Sequence, residues 1–158
     1  MVSGGVVGIF DWIFRRKKDD MQLRWSDSYK LGILEIDIQH KNLFQFYNEL
    51  VKTIYDGGNL EALSKSLDAL LNYVVMHFTT EEGYMQKYSF PGYDAHVAEH
   101  KKLREKVYYL HKDFNDGKPV LTMEVAVFLK EWINDHVLVT DRKYSKFLRE
   151  RLSKEYLS

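Results

Sequence analysis

The chain contains no cysteine, only two prolines and nine glycines, and no net charge, since 23 acidic residues balance 23 basic ones. Without cysteine there is no disulfide, thiolate zinc site, iron–sulfur cluster or thiol nucleophile. So few turn-forming residues argue against an all-β fold of many short strands. Zero net charge argues against nucleic acid as a partner, because phosphate binding is driven by an excess of Lys and Arg. Long apolar runs are missing as well. The stretch from Val6 to Phe14, interrupted by Asp11, is far below the ~20 residues that cross a bilayer.

What remains is a chain of 158 residues, 45% hydrophobic and 29% charged, with six histidines. That length supports one core without covalent staples, and that composition is globular rather than disordered. Residues 1–24 read as an N-terminal extension and residues 25–158 as the folded domain. In the extension the cations Arg15 to Lys18 follow the apolar stretch, whereas a signal peptide places them before it. The cytoplasm is therefore the expected compartment. Ile9, Phe10, Trp12, Ile13 and Phe14 beside four cations suit a membrane surface or the groove of a protein partner. Docking through residues 1–20 would make the protein peripheral at a membrane; the plainer expectation is a tail folded onto its own domain.

From Ile36 onward apolar residues recur in steps of three and four, the signature of amphipathic helices. One pattern runs from Ile36 to Ile54 and stops at Asp56-Gly57-Gly58. The next runs from Leu63 to Tyr88, with Asn59 as N-cap, and ends at Ser89-Phe90-Pro91-Gly92. A third spans His96 to Phe114, and a fourth starts at Leu121 and continues through Tyr144 and Leu148. Four long helices with short connections predict an all-α, up-down-up-down antiparallel four-helix bundle. Residues 25–35 show no clean period and are expected to be an extended arm.

A bundle seam should be apolar, yet these seams carry His40, His77, Glu81, His96, His100 and His136. Polar groups in a dry core cost several kcal/mol unless satisfied. One such histidine is ordinary; five, on four helices and joined by a carboxylate, point to a shared purpose. His77 and Glu81 stand one turn apart, as do His96 and His100, so each pair reaches one point. Imidazole and carboxylate without thiolate suit iron, manganese, copper or zinc. Asp141 is the best additional carboxylate. It lies five residues after His136, about 140° off that face on a regular helix, so both reach the site only through local unwinding or a π-bulge. The set is too large for one ion. Of about twelve positions on two six-coordinate ions, five histidines, two bridging carboxylates and a bridging oxide or hydroxide leave one open. His111, about three turns beyond His100, is too far to join and is expected at the surface or the bundle end.

The strings LGILEIDIQH, HFTTEE, HVAEH and WINDHVLVTD resemble the hemerythrin family, most closely its bacterial members, from about Trp25 to the last helix. The resemblance implies two iron ions (Fe2+/Fe3+), bridged by oxide or hydroxide, that bind O2 reversibly for storage, delivery or sensing. By position, His96, His100 and His136 would hold the coordinatively full iron. His40 and His77 would hold the iron with the open place, and Glu81 and Asp141 would bridge. Leu43 and Phe78 should flank the open iron, with Trp132, Ile133 and Val139 closing an apolar pocket. Few anionic donors disfavour high-valent iron and cleavage of the O–O bond, and favour reversible electron transfer. The competing expectation is a di-iron enzyme acting on peroxide, nitric oxide or O2.

Overall fold

The computed structural model describes residues 17–116 and 122–155. Its described residues contain helices and no strand. A short helix α1 (Lys18–Met21) leads through an extended arm with one 3-10 turn, Asp27–Tyr29, into four long helical segments. These are α2 (Leu34–Tyr55), α3 (Leu60–Lys87), α4 (Tyr93–Asn115) and α5 (Thr122–Asp135); α5 passes through a π-helical turn, His136–Thr140, into α6 (Asp141–Glu155).

The ends form where the side chains dictate. Asn59 caps α3, its side-chain oxygen accepting from the Ala62 amide at 2.9 Å. Helix α2 stops where Gly57 takes a left-handed turn, φ +69°, a conformation that disfavours residues with a Cβ.

Cross-helix pairs give the direction of packing. Gln39 meets Thr80, and further along the same two helices Thr53 meets Ser66. As one number rises the other falls, so α2 and α3 are antiparallel. Glu81 against His96, with Asp68 against His111, sets α3 and α4 the same way. His40 against Asp141, with Tyr47 donating to the Ala126 carbonyl, does so for α2 and the α5–α6 segment. The bundle is the expected one.

Two apolar clusters fill it. The larger includes Leu43, Phe44, Leu70, Leu103, Leu129 and Val137. The smaller, at the other end, joins Leu31, Ile33, Ile36, Met85, Tyr144 and Leu148. The arm is extended as expected, apart from its 3-10 turn. The end of the extension, from Lys18 to Leu23, packs onto the bundle. Met21 and Leu23 are buried in the larger cluster, Lys18 pairs with Asp56 at 2.9 Å, and the Leu23 backbone is held by Asn48. Apolar side chains at 21 and 23 draw this segment onto the bundle. The apolar stretch Val6–Phe14 lies outside the described residues. Among those residues no helix is long and apolar enough to cross a membrane.

Candidate metal centre

His40 comes from α2, His77 and Glu81 from α3, His96 and His100 from α4, His136 from the π-turn and Asp141 from the start of α6. All seven are buried, none more than 4% exposed. The π-turn is what admits Asp141. Its amide donates to the His136 carbonyl, an i to i+5 bond, and the wider turn returns Asp141 to the face of His136.

The five imidazoles fall into two groups, each ring nitrogen close to its neighbour. His40 Nε2 and His77 Nε2 are 3.1 Å apart. On the other side His100 Nε2 lies 3.1 Å from both His96 Nε2 and His136 Nε2. Donors about 2.1 Å from one ion and at right angles stand about 3.0 Å apart, so this spacing fits two ligand sets.

The carboxylates join the sets. Asp141 Oδ2 is 3.2 Å from His40, while its Oδ1 is 3.0 Å from His136 and 3.4 Å from His96. Glu81 Oε1 faces His77 at 3.5 Å and His40 at 3.8 Å; its Oε2 faces His100 at 3.2 Å and His136 at 3.5 Å. Each carboxylate thus offers one oxygen to each group. Glu81 Oε2, both Asp141 oxygens and His40 Nδ1 have no aligned hydrogen-bond partner although buried. Such orphans cost about 1–3 kcal/mol each as neutral groups and more when charged. A pair of cations between the groups would satisfy the three carboxylate oxygens, and the donor atoms within each set lie within 4.8 Å of one another.

This geometry has a family. Residues 31–148 match the hemerythrin HHE cation binding domain. The chain belongs to the hemerythrin family. It is 38% identical over 112 residues to the bacteriohemerythrin of Methylococcus capsulatus, covering 71% of this chain and 85% of the relative. It is 33% identical over 128 residues to a hemerythrin of Sipunculus nudus, covering 78% and 92%. A crystal structure of wild-type hemerythrin superposes with a TM-score of 0.75 at 35% identity, covering 80% of this chain and 97% of that one. Like its family, this hemerythrin binds O2 at a di-iron centre and is a binding protein rather than an enzyme.

Electrostatics at the centre follow from burial and the two carboxylates. Burial pushes His77 down to about 4, so its imidazole is neutral. Burial also opposes charge on His40, but the Asp141 and Glu81 carboxylates that face it prevail and raise it to about 9. Burial pushes Glu81 upward, yet His77 and the facing imidazoles of His100, His136 and His40 hold it well below the usual carboxylate range. The Tyr144 hydroxyl, pushed far up by burial and by Glu81, stays a phenol and donates to Glu81 Oε1 at 2.5 Å.

His40 is thus charged at neutral pH, and cation binding must displace its proton. The raised His40 pKa stabilises the metal-free protein fully below about 6.5, and that contribution is lost as pH rises through about 9. Loading the metal-free protein with Zn2+ near neutral pH is expected to release about one proton from this group, falling toward none once pH passes the His40 pKa. Calorimetry in buffers of different ionisation enthalpy checks this; no change in proton release across that range contradicts it.

The pocket residues sort differently from expectation. Leu43 and Ile133 are buried. Val139 is 55% exposed and does not close the pocket. The π-turn that brings Asp141 inward spreads its residues over a wider circuit, so Val137 is buried and Val139 turns out to solvent. Phe78 does not flank the two-histidine group. Its ring stacks on His100 at 3.6 Å and 3°, whereas its centroid is 6.0 Å from His77. A residue that follows His77 on α3 points about 100° away from it, toward α4. Half-buried Trp132 stacks on His136 at 4.3 Å, so both rings back the three-histidine group.

Sequence reasoning missed the residues behind the imidazoles. Gln39 Oε1 accepts from His77 Nδ1 at 2.9 Å, and Glu82 Oε1 accepts from His100 Nδ1 at 2.8 Å. These bonds leave each Nε2 lone pair facing the centre. Each partner adjoins a seam residue, Gln39 before His40 and Glu82 after Glu81, but adjacency alone singles out neither.

His111 lies where the sequence put it, half-buried and 2.6 Å from Asp68, away from the centre. His111→Gln is expected to leave iron per chain unchanged, measured by metal analysis. A drop would place it among the groups that hold the centre.

Proposed function

We propose that His96, His100 and His136 hold one iron, that His40 and His77 hold the other, and that Glu81 and Asp141 bridge the two. The observation that carries this reading is the division of each carboxylate, one oxygen toward each histidine group. The group with two histidines offers one nitrogen donor fewer, so His40 and His77 would leave room for O2 beside the cation they hold. When bound, the iron pair supplies the electrons that O2 takes up and gives back.

The chain's own residues make the exchange reversible. Leu43, one turn along α2 from His40, and Ile133 on α5 are both buried and would form the apolar walls of the O2 pocket. An apolar wall excludes water and the protons that would carry reduced oxygen away. Phe78 and Trp132 hold the rings of His100 and His136 by stacking. Tyr144 donates to Glu81 Oε1, which orients that carboxylate between the two groups. The biological use is oxygen storage, delivery or sensing.

The test is a cycle on reduced, iron-loaded protein. Air is expected to produce an oxygen-dependent charge-transfer band that an inert-gas purge removes over repeated cycles. Rapid oxidation with no recovery, or steady consumption of O2 or peroxide, would replace the carrier by a di-iron enzyme.

A further inference from the structure

The two histidine groups differ in what stands behind them. His77 donates to a neutral amide, Gln39, whose Nε2 in turn donates to Thr80 Oγ1 at 3.2 Å. That second bond fixes the amide with its oxygen toward His77. His100 donates instead to a carboxylate, Glu82 Oε1, at 2.8 Å. The same oxygen accepts from Arg104 Nη2. Arg104 stands one turn beyond His100 on α4, and its guanidinium lies 5.4 Å from the centre of the Phe78 ring, which is stacked on His100. One face of the centre is therefore backed by a neutral acceptor and the other by a charged pair.

We infer that Glu82 is a positioning residue that sets the redox balance of the centre through His100, and that Arg104 limits the strength of its effect. The inference rests on the reading of the centre proposed above. An anionic acceptor draws the Nδ1 proton outward and makes Nε2 a stronger donor, which favours the oxidised ion; a neutral amide does so less. Arg104 shares the accepting oxygen and offsets part of its negative charge. His100, backed by Glu82, would thus favour the oxidised state of the cation that the three histidines hold, while His77, backed by Gln39, stays the weaker donor. The asymmetry lies in the charge behind the rings and adds to the difference in ligand number.

Two variants separate this from plain structural support. Glu82→Gln keeps a hydrogen-bond acceptor of the same shape and removes the charge. Arg104→Gln keeps the carboxylate and removes the cation that moderates it. In iron-loaded protein, equilibrated with redox mediators at a fixed poise without O2, Glu82→Gln is expected to lower the oxidised-to-reduced ratio by about tenfold. Arg104→Gln is expected to raise it. A supporting role in packing would move both in one direction, because each variant loosens the same stack of Arg104, Phe78 and His100. The metal-free protein gives a second readout: zinc affinity falls about ten- to a hundredfold in Glu82→Gln and holds or rises in Arg104→Gln. Shifts of the same sign in both variants, or none in either, overturn the inference while the iron pair stands. A wild-type protein that takes up no iron pair overturns the reading of the centre, and this inference with it.

Discussion

Leucine in place of His77 is expected to cost the protein one iron and no more than about 2 kcal/mol of metal-free stability. His77 is fully buried and its imidazole is neutral, pushed down to about 4 by its surroundings. Leucine suits that seam, between Val74 and Phe78, and needs no polar partner. The substitution does orphan Gln39 Oε1, which accepts from His77 at 2.9 Å, at about 1–3 kcal/mol. Relief of a buried imidazole offsets part of this, so the metal-free protein should stay within about 2 kcal/mol of wild type. Iron changes the comparison. A cation bound at a thousand times its dissociation constant stabilises the fold by about 4 kcal/mol, and the variant loses that at the two-histidine position. Metal analysis and denaturant melts with and without iron check both halves. Retention of two irons per chain would remove His77 from the ligand set.

Asp141→Asn should be more damaging to metal binding, although it is closer in shape. Asp141 Oδ2 faces His40 and Oδ1 faces His136 and His96, so one substitution weakens both positions. Asparagine has the same size and leaves the amide bond to the His136 carbonyl intact, so the π-turn should persist. Iron is expected to fall below one per chain. In the metal-free protein His40 loses the first of the contacts that hold it at about 9. Its pKa moves down, and proton release on zinc loading shrinks with it. Helicity by circular dichroism separates loss of metal from loss of fold. Binding of two irons with wild-type affinity would show that Asp141 does not bridge.

Much of this is legible in the sequence because bundles follow simple periods. The seams from Ile36, Leu63, His96 and Leu121 form α2 to α6, and the Asn59 cap and the Gly57 stop fall where the pattern ends. The most informative irregularity is the spacing of His136 and Asp141. Five residues cannot share one face of a regular helix, and the chain resolves the conflict with a π-turn. That turn also explains the largest miss. Ordinary helical reasoning puts Val139 in the pocket, and the widened circuit that turns Asp141 inward turns Val139 out. Phe78 goes to the wrong histidine in sequence because proximity to His77 says nothing of which neighbouring helix its ring meets. Gln39, Glu82, Arg104 and Tyr144 stay hidden for a related reason. Their partners lie on other helices or a turn away, so their roles depend on how the helices are set beside one another. The segment from Lys18 to Leu23 reads as part of the extension because two buried side chains, Met21 and Leu23, are too few to make a period.

The central claim is that seven buried side chains hold a pair of iron ions between two histidine groups. Anomalous diffraction from crystals of the iron-loaded protein, recorded across the iron absorption edge, tests it most directly. Two peaks are expected, one beside His40 and His77 and one beside His96, His100 and His136, with Glu81 and Asp141 reaching both. A single peak, or none among these residues, would contradict it.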